Sequence, residues 1–250
     1  MNNNPSSKYI QAVAVNHNTS KYTELMLRSL FARHSSDLDL AIVVLDNGSQ
    51  DDRTELEAYA ERKGIPIIPS GFGLKTKWNS HGEILSKFVL EHPDCIYYLF
   101  LDTDACFIQD DTIDTMLREL EQDSIAFGIA PRLSSNGDTE IEEKHWEKAY
   151  DYRLHPCCAL VKNMPVFRRV VEVVGLSCVK YLWAEGEEYL DTFKLMSMVM
   201  KTHGCRHILS SKMVLHFFSV SYDREPQHVM EYKAGLRDRL LEELRNPETS

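Results

Sequence analysis

The chain has 250 residues, 43% of them hydrophobic, with 28 basic and 38 acidic side chains and a formal charge of −10. That is enough apolar material for a true core, and the simplest reading is one domain over residues 1–250. The acidic balance argues against a general nucleic-acid binder, which needs a basic face, so no nucleic-acid partner is expected.

Tyr9 to Val15 (YIQAVAV) reads as a strand, followed by the polar turn Asn16-His17-Asn18-Thr19-Ser20. Lys21 to His34 carries Leu25, Leu27, Leu30 and Phe31 near helical spacing, with Ser20 as the cap. Leu38 to Leu45 (LDLAIVVL) is a second strand, ending in the turn Asp46-Asn47-Gly48-Ser49-Gln50-Asp51. A helix over Asp52–Lys63, a short strand over Ile65–Pro69 and the Gly-rich loop Ser70–Gly73 follow. Asn79 to Glu91 reads as a third helix, Cys95 to Asp102 as a strand, Thr112 to Gln122 as a helix and Ser124 to Ala130 as a strand.

This alternation with continuous apolar strands predicts an α/β fold: a Rossmann-like, mainly parallel central sheet with helices on both faces. The second half is less regular. Pro131–Glu143 reads as a polar loop, Tyr152–Lys162 as a strand broken at Pro156, and Pro165–Tyr181 as a helix weakened by Gly175. Trp183 to Asp191 reads as an acidic segment entering an apolar helix that runs to about His203. A final strand region over Ile208–Phe218 and a charged outer helix over Glu225–Arg245 complete the chain.

Met1 to Ser7 is polar, and no run of about 18 apolar residues occurs, so neither a signal peptide nor an integral membrane segment is expected. The six cysteines form no C-x-x-C pair, which speaks for reduced, mostly core thiols and a cytoplasmic location. Oligomeric state is not readable.

The most informative stretch is Tyr97-Tyr98-Leu99-Phe100-Leu101-Asp102-Thr103-Asp104-Ala105. In an extended chain alternate residues share a face, so Asp102 and Asp104 converge while Thr103 turns away. Two hard oxygen ligands suit Mg²⁺ or Mn²⁺, and such an ion suits a diphosphate. A solvated strand end is the bland alternative. A phosphatase of the haloacid dehalogenase type is disfavoured, because its D-x-D opens the first strand and a Thr follows where Phe107 stands. Three polar clusters, Asn16–Ser20, Asp46–Asp51 and Asp102–Asp104, lie at strand ends, where ligands bind on such sheets.

V-A-V-N-H-N-T-S, V-V-L-D-N-G-S-Q-D and F-L-D-T-D-A, in this order, resemble the family 2 glycosyltransferases of the GT-A fold. The resemblance covers residues 8–131 well and the remainder loosely. It implies a metal-dependent transfer of a sugar from a nucleoside diphosphate sugar, UDP by the family's habit, to a hydroxyl of a small-molecule or glycan acceptor, with inversion. It places the donor half over 8–131 and the acceptor half over 132–250; the polarity and length of loop 132–150 alone point to a lid over the donor. By position, Asp46 would contact the nucleotide base, with Asn16 and Asn18 in the same pocket, and Lys77 or Lys75 the diphosphate. Asp102 would serve the ribose or the metal and Asp104 would be the principal metal ligand. A late histidine, His216, would complete the metal shell, while a core role remains the alternative.

For the base that takes the acceptor proton, Asp191, Glu188 and Glu187 compete. Asp191 is favoured because it lies 13 residues before Gly204, at the mouth of the apolar helix. Trp183, Tyr189, Trp146 and Tyr152 are candidate sugar platforms. A sugar-phosphate nucleotidyltransferase is disfavoured, since no basic Gly-rich loop follows the first strand. A nucleotide-sugar-binding protein without transferase activity is the remaining alternative.

Overall fold

The computed structural model describes residues 9–34, 38–72, 81–141, 153–183, 186–221 and 225–246. β1 (Ile10–Asn16), β2 (Leu40–Asp46), β3 (Ile67–Pro69) and β4 (Tyr97–Leu101) run parallel in the order β3-β2-β1-β4. In chain order β5 (Ala105–Phe107), β6 (Ala126–Ser134) and β7 (Cys158–Lys162) follow. β8 (Val179–Trp183) and β9 (Gly186–Leu190) form a separate antiparallel hairpin, and β10 (Arg206–His216) returns to the main sheet. The eight-stranded order is β3-β2-β1-β4-β7-β6-β10-β5, in which β7 and β5 run against their neighbours.

Alternation along each strand divides the core into two layers. Ala12, Val44, Leu99 and Leu101 face one layer with α1 (Ser20–Arg33), α2 (Thr54–Lys63) and α4 (Thr112–Gln122). Val13, Val43, Tyr98 and Phe100 face the other, with α3 (His81–Glu91), α5 (Pro165–Val174) and α6 (Lys194–Thr202). Both faces are thus apolar, which is why these strands read as continuous hydrophobic runs. α7 (Gln227–Arg245) packs outside α1, through Tyr22, Leu25, Leu236 and Leu241.

Several expectations are corrected. The expected loop from Pro131 begins inside β6, which continues to Ser134. Proline is tolerated there because the ladder to β10 is interrupted between Leu209 and Met213, so no partner awaits its missing N–H. The expected helix 165–181 stops at Val174: Gly175 takes φ 76° and the chain turns into β8. In the acidic segment, Gly186–Leu190 is the second strand of a hairpin, and the helix beyond it starts only at Lys194. Ser20 is the first helical residue rather than the cap. β5, a three-residue strand, gave no sequence signal. All six cysteines are free, four of them buried, and no helix among the described residues is long and apolar enough to cross a membrane.

His34 joins two helices. Its Nδ1–H donates to the Leu30 carbonyl (2.8 Å), and its Nε2 accepts from the backbone N–H of Ile113 (2.8 Å) in the first turn of α4. Only the neutral ring can do both. Burial pushes its pKa below the ordinary 6.5, against the raising effect of the Leu30 bond. The unfolded chain therefore binds this proton more readily, so the stability His34 contributes is complete above pH 6.5 and is lost as pH falls through the folded value. For His34→Gln, urea denaturation should show a deficit relative to wild type that shrinks between pH 7.5 and 5.5, by at most about 1.4 kcal/mol per pH unit. A deficit independent of pH would remove His34 from the acid response.

Candidate active site

β1 and β2 end in register, with Asn16 opposite Asp46, and the loops beyond them meet over one fully buried side chain. Nδ2 of Asn16 lies 3.1 Å from Asp46 Oδ1, 3.0 Å from Ser49 Oγ and 3.2 Å from Ser20 Oγ, its two N–H donors shared among the three acceptors. Its Oδ1 accepts from the hydroxyls of Thr19 and Thr23, each at 2.9 Å. Thr19 Oγ1 in turn meets Thr103 Oγ1 at 2.8 Å, which carries the network to the end of β4. Asn16 thus holds three strand ends together.

Asn18 is exposed, in a left-handed conformation that asparagine tolerates (φ 54°), and its Oδ1 accepts from the N–H of Gln50. Asp46 is partly covered: Oδ2 accepts from the Ser49 N–H (3.3 Å) and from Arg53 (3.1 Å). Asp51 has a different task. Its carboxylate accepts from the backbone N–H (2.8 Å) and hydroxyl (2.9 Å) of Ser20, at the N-terminus of α1, where a negative charge complements the helix dipole.

The Asp102/Asp104 pair does not lie on an extended strand. β4 stops at Leu101, and the Ala105 N–H donates to the Asp102 carbonyl, closing a turn. The chain then leaves as β5 for the far edge of the sheet. β5 pairs with β10 so that Ala105 faces His216, and the Phe217 N–H donates to the Asp104 carbonyl (3.0 Å). This register brings His216 Nε2 to 3.1 Å from Asp104 Oδ1 and 3.8 Å from Asp102 Oδ2. His81, at the start of α3, stands 3.7 Å from the other oxygen of Asp102. Just behind it α3 comes so close to the turn after α5 that a Cβ on Gly82 would lie 2.3 Å from Ser177 Cα, so only glycine fits.

The charges of this corner are interdependent. Burial raises the Asp102 carboxyl above its ordinary value, against the lowering pull of His81, and Asp104 adds to the rise. Burial would raise Asp104 too, but the adjacent His216 holds it below. His216 is the converse: burial lowers it, and Asp104 carries it above 6.5. Each partner thus favours the charged form of the other, with Asp102 beside them. His216 Nδ1 is buried without a hydrogen-bond partner. Two carboxylates and an imidazole nitrogen at 3.1 and 3.8 Å approach the roughly 3 Å spacing of neighbouring ligands on one small divalent ion. The donor set fits such an ion.

Asp191 sits in the turn between β9 and α6. Arg153 donates to its Oδ2 (2.7 Å) and to the Thr192 carbonyl (2.9 Å), while Oδ1 accepts from the Thr192 N–H. Arg153 also acts electrostatically on Asp102, so it faces both acidic groups. Glu187 and Glu188 are on β9, and their side chains lie outside the described residues, as does that of Trp183. Lys75, Lys77, Trp146 and Tyr152 also lie outside them. Tyr189, on the hairpin, is half exposed.

Arg153, His155, Cys157 and His81 form part of the site and were not singled out from sequence. His155 is buried, its Nδ1 accepts from the Cys157 N–H (3.2 Å), and burial with Arg153 and His216 nearby holds its pKa well below 6.5. The polar break R-L-H-P-C-C before β7 was the available signal. A cavity of about 800 Å³ opens beside Arg153 and His155, walled by Ser197, Met198 and Lys201 of α6 and by His207.

No family model and no curated protein matches this sequence. Solved structures do. The mannosyltransferase PcManGT from Pyrobaculum calidifontis, in complex with GDP-Man and Mn²⁺, superposes with a TM-score of 0.58 at 14% identity, over 90% of this chain and 60% of its own. S. aureus TarS 1-349 in complex with UDP-GlcNAc gives 0.54 at 13% identity, over 95% and 72%. Glucosyl-3-phosphoglycerate synthase from Mycobacterium tuberculosis, with Mn²⁺, UDP and phosphoglyceric acid, gives 0.51 at 14% identity, over 96% and 78%. The chain therefore has the GT-A fold, and it spans about three-fifths of the mannosyltransferase's length.

Asn16→Ala should cost about 2–4 kcal/mol in chemical denaturation, because it strands several buried polar groups, each worth roughly 1–3 kcal/mol when unpaired. A loss below about 1 kcal/mol would show that the strand ends hold without this hub.

Proposed function

We propose that the protein is a divalent-metal-dependent glycosyltransferase that moves a sugar from a nucleoside diphosphate sugar to a hydroxyl acceptor with inversion. The observation that carries the reading is the meeting of Asp102, Asp104 and His216 beside the knitted ends of β1, β2 and β4. In an open α/β sheet that is where a ligand binds. Complexes with GDP-Man and Mn²⁺, and with UDP and Mn²⁺, on the same fold support the class of donor.

Asp46 and the exposed Asn18 then serve the base and ribose, and Arg53, beside Asp46, is a further candidate contact. Asn16, fully buried, acts as a positioning residue. Lys77, or Lys75, remains the proposed diphosphate contact. Asp104, Asp102 and His216 would hold the ion, whose chemistry is to neutralise the departing diphosphate. His216 would hold the ion through an unprotonated Nε2, since a ligating imidazole nitrogen carries no proton. Asp191 is the proposed base, with Glu187 and Glu188 as the alternatives. Arg153 orients its carboxylate, and each oxygen keeps a free lone pair for the acceptor proton. The acceptor oxygen bonds to the anomeric carbon as the bond to the diphosphate oxygen breaks, and the diphosphate leaves with the electron pair. The cavity beside Arg153 and His155 is the proposed acceptor space.

Thermal shift with UDP and GDP, each with and without Mn²⁺, tests the donor site. A nucleotide at a hundred times its dissociation constant should stabilise the fold by about 2.7 kcal/mol, with Mn²⁺ only, and Asp104→Asn should abolish the effect. Asp191→Asn should keep the shift and lose sugar transfer by at least a hundredfold, the lower range for general base catalysis. No metal-dependent shift with either nucleotide would sink the reading. A shift without transfer or hydrolysis of any donor by wild type would leave a nucleotide-sugar-binding protein.

A further inference from the structure

A thiol stands where this centre has no need of one. Cys157 is free and fully buried just before β7. Its carbonyl accepts from the Asp102 N–H (2.8 Å), which fixes the two residues side by side. One ligand atom each from Asp102, Cys157 and His216 all lie within 4.8 Å of one another. A point among them is therefore within about 2.8 Å of each, at most about 0.5 Å beyond the bond length of Zn²⁺ to sulfur and about 0.6–0.8 Å beyond those to nitrogen and oxygen. His216, more than nine-tenths buried, keeps Nδ1 without a partner, and its other nitrogen faces the two carboxylates.

We infer that Cys157 makes this corner a mixed hard and soft centre, in which Asp102, Cys157 and His216 take Zn²⁺ in competition with Mn²⁺ or Mg²⁺. The inference rests on the reading of the two aspartates and His216 as metal ligands. The physical reason is ligand class. Mg²⁺ and Mn²⁺ bind through oxygen and gain little from a sulfur, whereas Zn²⁺ is bound well by thiolate, imidazole and carboxylate together. Without an ion, two neighbouring carboxylates and burial keep the sulfur protonated. A dication at the centre inverts that balance: the S–H proton passes to solvent as the S–Zn bond forms, with no redox change. Three protein ligands leave the fourth position of the tetrahedron that Zn²⁺ prefers to a water or a substrate oxygen.

Co²⁺ is the optical stand-in for Zn²⁺. Titrating the metal-free full chain with Co²⁺ should produce a near-ultraviolet thiolate-to-cobalt charge-transfer band that Zn²⁺ removes. The band should vanish in Cys157→Ser and persist in Cys158→Ser. Zn²⁺ affinity should fall at least tenfold in Cys157→Ser, while Mn²⁺ affinity, followed by loss of the free-ion electron paramagnetic resonance signal, changes less than twofold. Zinc-edge X-ray absorption of the wild type needs no variant and should show one sulfur scatterer at about 2.3 Å. A shell of nitrogen and oxygen alone, or a band that survives in Cys157→Ser, overturns the inference. Mn²⁺ binding without a cobalt–thiolate band defeats the role of Cys157 only. Failure to bind any of these ions defeats the metal centre itself.

Discussion

The arrangement depends on the polar closure of three strand ends by Asn16. A buried amide is costly unless its hydrogen bonds are made, and here every partner comes from a loop that must be placed. Asp46 and Ser49 belong to the loop after β2, Thr19, Ser20 and Thr23 to the start of α1, and Thr103, one bond further, to the turn after β4. The apolar strands beneath supply the stability. The asparagine supplies the alignment, because the network is satisfied only when β1, β2 and β4 end at their present level. The carboxylates that face outward are thereby held on a rigid platform.

From this platform the chain makes one unusual excursion. After β4 it does not go straight into a helix but crosses to the far edge of the sheet as β5. That short strand, only three residues long, sets the register of His216 against Ala105 and so the distance from His216 to Asp104. In the pair that results, the imidazole favours the ionised form of Asp104, which offsets part of the repulsion between the two acids. A second buried carboxylate beside the first would otherwise cost several kcal/mol in desolvation and repulsion.

The donor side was legible from sequence because its signals are local. An apolar strand followed by a polar turn is written in ten consecutive residues, three times over, and the order of the turns carried the fold class. The acceptor side was not, because its structure is decided by partners far away in the chain. Residues 183–191 have the composition of a solvated helix start, yet pairing with Val179–Trp183 makes Gly186–Leu190 a strand. Helix propensity is a weak preference, and tertiary pairing overrides it. The Asp102/Asp104 pair was found for an incomplete reason: their convergence comes from the turn and from His216, 112 residues away, rather than from strand alternation. Asp51, grouped with Asp46 by motif, proved to serve the helix terminus.

The outer helix α7 gains a meaning from this geometry. Immediately after His216, Phe218 and Ser219 adopt left-handed conformations, φ 51° and 55°, which cost about 1–2 kcal/mol for each non-glycine residue. Such backbone persists only where its surroundings over-determine it. Here the Phe218 ring packs on the His216 imidazole, with centroids 3.9 Å apart, and its carbonyl accepts from Lys233 Nζ of α7 (2.8 Å). At the other end of the same helix, Arg245 grips the buried Glu24 of α1 through two nitrogens, with Arg28 sharing the carboxylate. Without Lys233 the Phe218 carbonyl would lose its partner on α7, and without Arg245 the buried Glu24 would keep only Arg28. The charged helix that sequence alone reads as decoration on the outside is therefore a strut: it ties the helix that starts at the donor loops to the histidine that completes the acidic corner.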